Sequence, residues 1–105
     1  MPVMFSIIYI TAGSMDEAKS IGRTLVEERL AACANIFPIT SIFRWKDKID
    51  EAGEFGIIVK TRTDKVKYIE NRVRHIHSYE VPCIVSFKIG SGSEDYLKWI
   101  EESVI

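Results

Sequence analysis

Two histidines and two cysteines are the residues of this 105-residue chain best suited to chemistry near neutral pH, since imidazole and thiolate can bind a metal or move a proton. His75 and His77 are two positions apart. On a helix that spacing turns their side chains about 200° from each other, so they cannot chelate one ion together unless the helix has ended. The spacing predicts His75 in solvent and His77 near a helix C-terminus, where an imidazole can meet the last carbonyls. His77 is the candidate metal ligand, because a second chain could bring a carboxylate such as Glu80, or a cysteine, beside it. Cys33 and Cys83 lie far apart and neither belongs to a Cys-x-x-Cys pair, which argues against a disulfide framework or a structural zinc site. Two reduced, mostly buried thiols are expected. By alternation Cys33 shares a strand face with Asn35 and Phe37, and the Asn35 amide should bond to backbone at a helix-strand join or across an interface.

The acidic pairs Glu27 with Glu28, Glu51 with Glu54 and Glu101 with Glu102 come without a histidine, a second fixed carboxylate or a Gly-rich loop. Solvated surface is the expectation for all three. No Gly-x-Ser-x-Gly, Walker A or His-Glu-x-x-His pattern occurs, so nothing marks the chain as an enzyme. A net charge of −1 and a pI near 6.1 give no field to gather nucleic acid or an anionic membrane. No apolar run approaches the roughly 18 residues of a membrane span, and Met1-Pro2-Val3-Met4-Phe5 lacks the basic region of a secretory signal. A cytoplasmic protein is expected.

The elements that must position these groups follow from periodicity and punctuation, and they form a single domain over residues 1–105. Val3 to Thr11 is apolar and β-branched with little alternation, a strand covered on both faces. Ser14-Met15-Asp16-Glu17 matches a capping box, and a helix follows to about Arg29 with Ala18, Ile21 and Leu25 on one face. Leu30 to Ala34 contains no Gly, Pro, Asp or Ser, so the helix should pass almost directly into a second strand that runs to Trp45. Pro38 within it predicts an edge or a bulge. Lys46-Asp47-Lys48 forms a turn, and Ile49 to Thr61 returns as a third strand, polar at first and then continuously apolar. Asp64 can cap a helix to about His77 carrying Val66, Ile69, Val73 and Ile76. After Pro82, Cys83 to Ile89 reads as a fourth strand, and Ser93 caps a last helix with Leu97, Ile100 and Val104. The order β-α-β-β-α-β plus a terminal helix is the α+β, ferredoxin-like arrangement of one antiparallel sheet with helices on one face. The RNA-recognition motif shares this order, but Glu54 stands near the basic start of its strand-three pattern and Ile57 at its second aromatic.

Length adds a constraint. A compact domain of this size measures only about 30 to 35 Å across, whereas a strand from Ala32 to Trp45 would span roughly 45 Å. Its far end, with Ile42, Phe43, Trp45 and Ile49, should overhang as an apolar patch beside open strand edges, which soluble proteins cover. These four residues are the expected subunit interface.

Seven stretches then fall into a pattern: Thr11-Ala12, Glu28 to Ile36 (Glu-Arg-Leu-Ala-Ala-Cys-Ala-Asn-Ile), Thr40 to Trp45 (Thr-Ser-Ile-Phe-Arg-Trp), Ile49, Lys60-Thr61, His77 to Pro82 (His-Ser-Tyr-Glu-Val-Pro) and Tyr96 to Ile100 (Tyr-Leu-Lys-Trp-Ile). In these the chain resembles the CutA family of divalent-cation-tolerance proteins over nearly its whole length. The resemblance implies a homotrimer of ferredoxin-like subunits, related in architecture to the PII signalling proteins and joined edge to edge. It also implies a link to metal tolerance, with copper or another divalent ion held in some members by a cysteine ahead of the Thr-Ala pair and by histidines before the Tyr-Glu-x-Pro segment. Ile10 stands at that cysteine's position and Ile76 at the first histidine's, leaving His77. One histidine falls short of the three protein ligands usual even for an open site. The alternative is a PII-like signalling or scaffold module that binds a partner protein or a small anion between subunits, with Lys46, Lys48, Lys60, Arg62 and Lys65 available for an anion.

Overall fold

The computed structural model describes residues 2–105. Its elements are β1 (Phe5–Ala12), α1 (Met15–Glu27), β2 (Cys33–Trp45), β3 (Lys48–Arg62), a 3-10 turn (Thr63–Lys65), α2 (Val66–Ile76), β4 (Ile84–Lys88) and α3 (Glu94–Ser103). The strands form one antiparallel sheet in the order β2-β3-β1-β4. This is the α+β arrangement that the element order predicts.

Burial along β1 alternates strictly, with Ser6, Ile8, Ile10 and Ala12 buried and the residues between them half-buried. The strand is therefore covered fully on one face only, contrary to the expectation of two buried faces. On the covered face Ile8, Ile10, Ile57 and Val59 meet Ala18, Ile21 and Leu25 of α1 and Ile69 and Val73 of α2. Each such Ile, Leu or Val contributes roughly 1.5–3 kcal/mol by leaving water. The other face is only partly covered. There α3 packs Leu97, Ile100 and nearby Val104 against Phe5 and Ala32.

Ser14 caps α1 by accepting the Glu17 N–H at 3.1 Å, but the Glu17 carboxylate does not complete a capping box. It turns instead to the Ser78 N–H at 2.7 Å and the Ser78 hydroxyl at 2.9 Å, tying α1 to the loop after α2. The helix ends at Glu27, and a true turn separates it from β2. Arg29 adopts a left-handed conformation (φ 59°), its N–H reaching Val26 O and the Leu30 N–H reaching Leu25 O, both at 3.0 Å. These are the two bonds of a Schellman motif, with arginine where glycine is usual. The Arg29 guanidinium donates to the Ser103 and Glu102 carbonyls at 3.3 and 3.0 Å, so the same residue closes α1 and the end of α3.

Asp64 does not cap α2. Its carboxylate accepts from Arg62 at 3.0 and 3.1 Å, and α2 starts without a side-chain cap. Hydrogen bonds from Arg62 hold the Asp64 carboxyl below its ordinary pKa. Pro38 introduces no bulge: β2 pairs with β3 without a break from Cys33↔Lys60 to Trp45↔Lys48, and β2 is an edge strand.

Because β1 pairs with β3 only from Phe55 to Arg62, the far halves of β2 and β3 project as a two-stranded arm. Lys46 and Asp47, both with positive φ (50° and 65°), make the two-residue turn at its tip, the geometry that matches strand twist. The molecule measures 46 × 25 × 21 Å, so the overhang expected from strand length is present.

Candidate functional site

His77 follows the last turn of α2, and its side chain is fully buried. It does not serve its own helix. Its Nε2 lies 2.7 Å from Thr11 O at the end of β1, and a carbonyl can only accept, so Nε2 carries the proton and donates. Nδ1 then accepts the Tyr79 N–H at 3.0 Å. Both ring nitrogens are committed to backbone. His75 stands on the exposed side of α2 with Nδ1 2.7 Å from Asn71 O, so the two histidines do point apart. Among the described residues no three His, Cys, Asp or Glu side chains gather closely enough to hold a metal ion.

The loop that His77 anchors forms one wall of a groove of about 760 Å³ on the sheet face away from α1 and α2. Register explains its composition. Tyr9 and Thr11 of β1, Ser41, Phe43 and Trp45 of β2, and Asp50, Ala52 and Glu54 of β3 project to that same face, and Ser78 to Val81 with Cys83 close it. Glu54 lies one residue beyond the last β1–β3 pair, Ala12↔Phe55, and Tyr79 fills the gap this leaves. The Tyr79 hydroxyl donates to Glu54 Oε2 at 2.6 Å and sits so close to Gly13 that a Cβ there would meet it at 3.1 Å.

Glu54 corrects the reading of the acidic pairs: Glu51 is exposed, but Glu54 retains only 8% of its accessible surface. The signal was its phase, since Glu54 shares a face with Gly56 and Ile58 of an apolar strand. Burial and the neighbouring Glu54 carboxylate push the Tyr79 phenol up to about 12. Burial also raises Tyr9, with the Cys83 thiol and Glu54 adding to it. At Cys83 burial favours the neutral thiol and raises its pKa, despite a hydrogen bond from Thr11 that acts the other way.

The other sequence candidates are dispersed. Cys33 and Cys83 are both free and half-buried. Cys33 Sγ lies 3.8 Å from the Tyr96 hydroxyl and 3.7 Å from Asn35 Oδ1, so the Asn35 side chain meets a thiol rather than backbone. Lys46 lies over the Trp45 ring, Lys60 over Tyr96 and Lys65 over Tyr68, while Arg62 holds Asp64 and the 104 and 105 carbonyls. Four of the five basic residues are thus engaged within their own subunit, and none of the five lines the groove at the root of the arm. On the arm, Ile42 and Ile49 are 68% and 62% exposed, and Phe43 and Trp45 are each 40% exposed.

The sequence pattern of the CutA1 divalent ion tolerance proteins matches residues 6–103. The chain belongs to the CutA1 family. It is 48% identical over 101 residues to the divalent-cation tolerance protein CutA of Archaeoglobus fulgidus, a match covering 96% of this chain and 99% of that one. A structure described as the periplasmic divalent cation tolerance protein CutA of the same organism superposes with a TM-score of 0.95, covering 97% of this chain and all of that one (100%) at 48% identity. The CutA1 structure from Thermus thermophilus gives 0.93 at 42% identity, covering 96% of this chain and 99% of that one. These CutA1 relatives are named for tolerance to divalent cations, and none of these names denotes an enzyme.

Proposed function

We propose that this CutA1-family chain serves divalent-cation tolerance as a homotrimer, with its projecting hairpins holding the subunits together. The observation that carries this is the arm itself. Ile42, Phe43, Trp45 and Ile49 stand in solvent beside the free edge of β2, and such apolar surface next to unpaired strand edges is normally covered. The sheet also ends in β4, a second free edge that carries exposed Val85 and Phe87. The cytoplasm is the compartment that suits two free cysteines.

A divalent ion is the cargo that the relatives' names suggest, copper is the one we propose, and His77 is its proposed ligand. Binding there displaces the Tyr79 N–H from Nδ1 and draws the remaining donors from a neighbouring subunit, since one subunit assembles no set of three among the described residues. Native mass spectrometry with and without copper tests subunit count and metal stoichiometry together. Three subunits that take up copper, with uptake lost in His77→Ala, support the reading. Unchanged copper binding in that variant removes His77 from it.

A second reading, a small-ligand module, is favoured by the groove at the root of the arm. Its described lining contains Asp50, Glu54 and Glu80 and no lysine or arginine, so an anion is a poor occupant.

A further inference from the structure

We propose that the arm tip of one chain docks on α3 of a second copy, with Phe43 and Trp45 against Tyr96 and Trp99, and Lys46 and Lys48 against Asp95 and Glu102. The proposal rests on the trimer reading and deepens it by naming the surface that the arm covers. Two patches of the same chain carry it. On the arm, antiparallel pairing sets Trp45 opposite Lys48. Residues paired in this way share a sheet face, so Lys48 stands with Trp45 and Phe43 on the face away from α1 and α2. Lys46 joins them, its Nζ 5.7 Å from the centre of the Trp45 ring.

The second patch is a stripe of α3. Asp95, Trp99 and Glu102 follow one another at spacings of four and three residues, which aligns them on one side of a helix with Tyr96. Lys98 falls about 100° away from Trp99. Tyr96 and Trp99 hold their ring centres 5.4 Å apart, yet they remain 40% and 44% exposed. Their own subunit does not need the stripe, because α3 packs through Leu97, Ile100 and nearby Val104. An aromatic pair flanked by two acids therefore matches an aromatic pair flanked by two lysines. Trp and Tyr are the residues enriched where binding energy concentrates, and opposite charges around them fix partner and register.

One chain cannot bring its two patches together. α3 sits on Phe5 and Ala32, where β1 and β2 begin, whereas Trp45 ends β2. Unbroken pairing from Cys33↔Lys60 to Trp45↔Lys48 keeps the arm extended, so the patches lie toward opposite ends of a molecule 46 Å long. Contact between unlike patches at opposite ends is head-to-tail, and such contacts close into a ring when the rotation between subunits allows.

The test uses the full chain labelled with 5-fluorotryptophan, whose two resonances are assigned with Trp45→Phe. A neutral gadolinium chelate broadens fluorines that face solvent, and sedimentation of the same samples gives subunit number. Trp45 and Trp99 should both be spared in the trimer. Reversing the stripe with Asp95→Lys and Glu102→Lys, both exposed positions, should lower the urea concentration at which the subunits separate. Adding Lys46→Glu and Lys48→Glu to that variant should restore most of the loss, which a merely structural role for α3 would not do. A trimer in which Trp99 broadens like an exposed residue overturns the docking and leaves the assembly standing. A trimer without the recovery also overturns it. A parent protein that sediments as a monomer removes the assembly and the docking together.

Discussion

The Tyr79 hydroxyl donates to Glu54 Oε2 at 2.6 Å, joining the loop before β4 to the root of the projecting arm. Burial and that carboxylate raise the phenol from 10.0 to about 12. Because its folded pKa lies above the unfolded one, its contribution is fully present below pH 10.0 and is lost as pH rises toward about 12. Tyr79→Phe should therefore lower stability at neutral pH by about 1–3 kcal/mol and flatten the alkaline decline. Denaturant unfolding at fixed protein concentration, near neutrality and above pH 10, measures both. A loss below about 0.5 kcal/mol would show that the bond does not anchor the loop.

Glu17 makes the complementary prediction at acid pH. Burial alone would raise its pKa, but the Ser78 amide and hydroxyl, with His77 nearby, hold it below the ordinary 4.5. Its folded pKa is depressed, so its contribution is present above about 4.5 and disappears as pH falls through the lower folded value. Glu17→Gln should be less stable than the parent near neutrality, and the gap should close on acidification. A gap independent of pH contradicts the assignment.

Gly56 is fixed by contact rather than by backbone torsion. A Cβ there would lie 2.7 and 2.8 Å from atoms of the Phe37 ring, its partner on β2. Gly56→Ala should cost about 1–3 kcal/mol through overpacking, and most of that cost should vanish in a Phe37→Leu background. Thermal unfolding of the four combinations reports the coupling. Additive effects would disprove it.

Arg29 separates strain from contact. Arg29→Ala keeps the left-handed backbone and loses both bonds to α3, whereas Arg29→Gly loses the bonds but relieves the strain. The alanine variant should be the less stable by about 1 kcal/mol. Amide exchange in α3 should accelerate in both. Equal stabilities would remove the left-handed strain from the account.

These residues also show how much of the molecule the sequence discloses. Strand and helix order, the Ser14 cap, the core stripe of Ile69 and Val73 and the overhanging arm were all legible, because each follows from local periodicity or chain length. The Arg29 turn was not, since its left-handed position is held by carbonyls of α3 more than seventy residues away (|i−j| 73 and 74). Asp64 looked like a cap and became the partner of Arg62, a choice between two local hydrogen bonds that spacing cannot decide. The groove was the largest omission. It is assembled by register between strands distant in sequence, and its key acid reads as surface until Glu54 is placed in phase with Gly56 and Ile58.

If the arm holds three chains together, as proposed, sedimentation equilibrium at micromolar concentration will show it. The intact protein should sediment at about three times its 12.0 kDa chain mass. Paired Ile42→Lys and Ile49→Glu substitutions on the solvent-facing arm should release folded monomers. A parent protein that sediments as a monodisperse monomer would contradict the account.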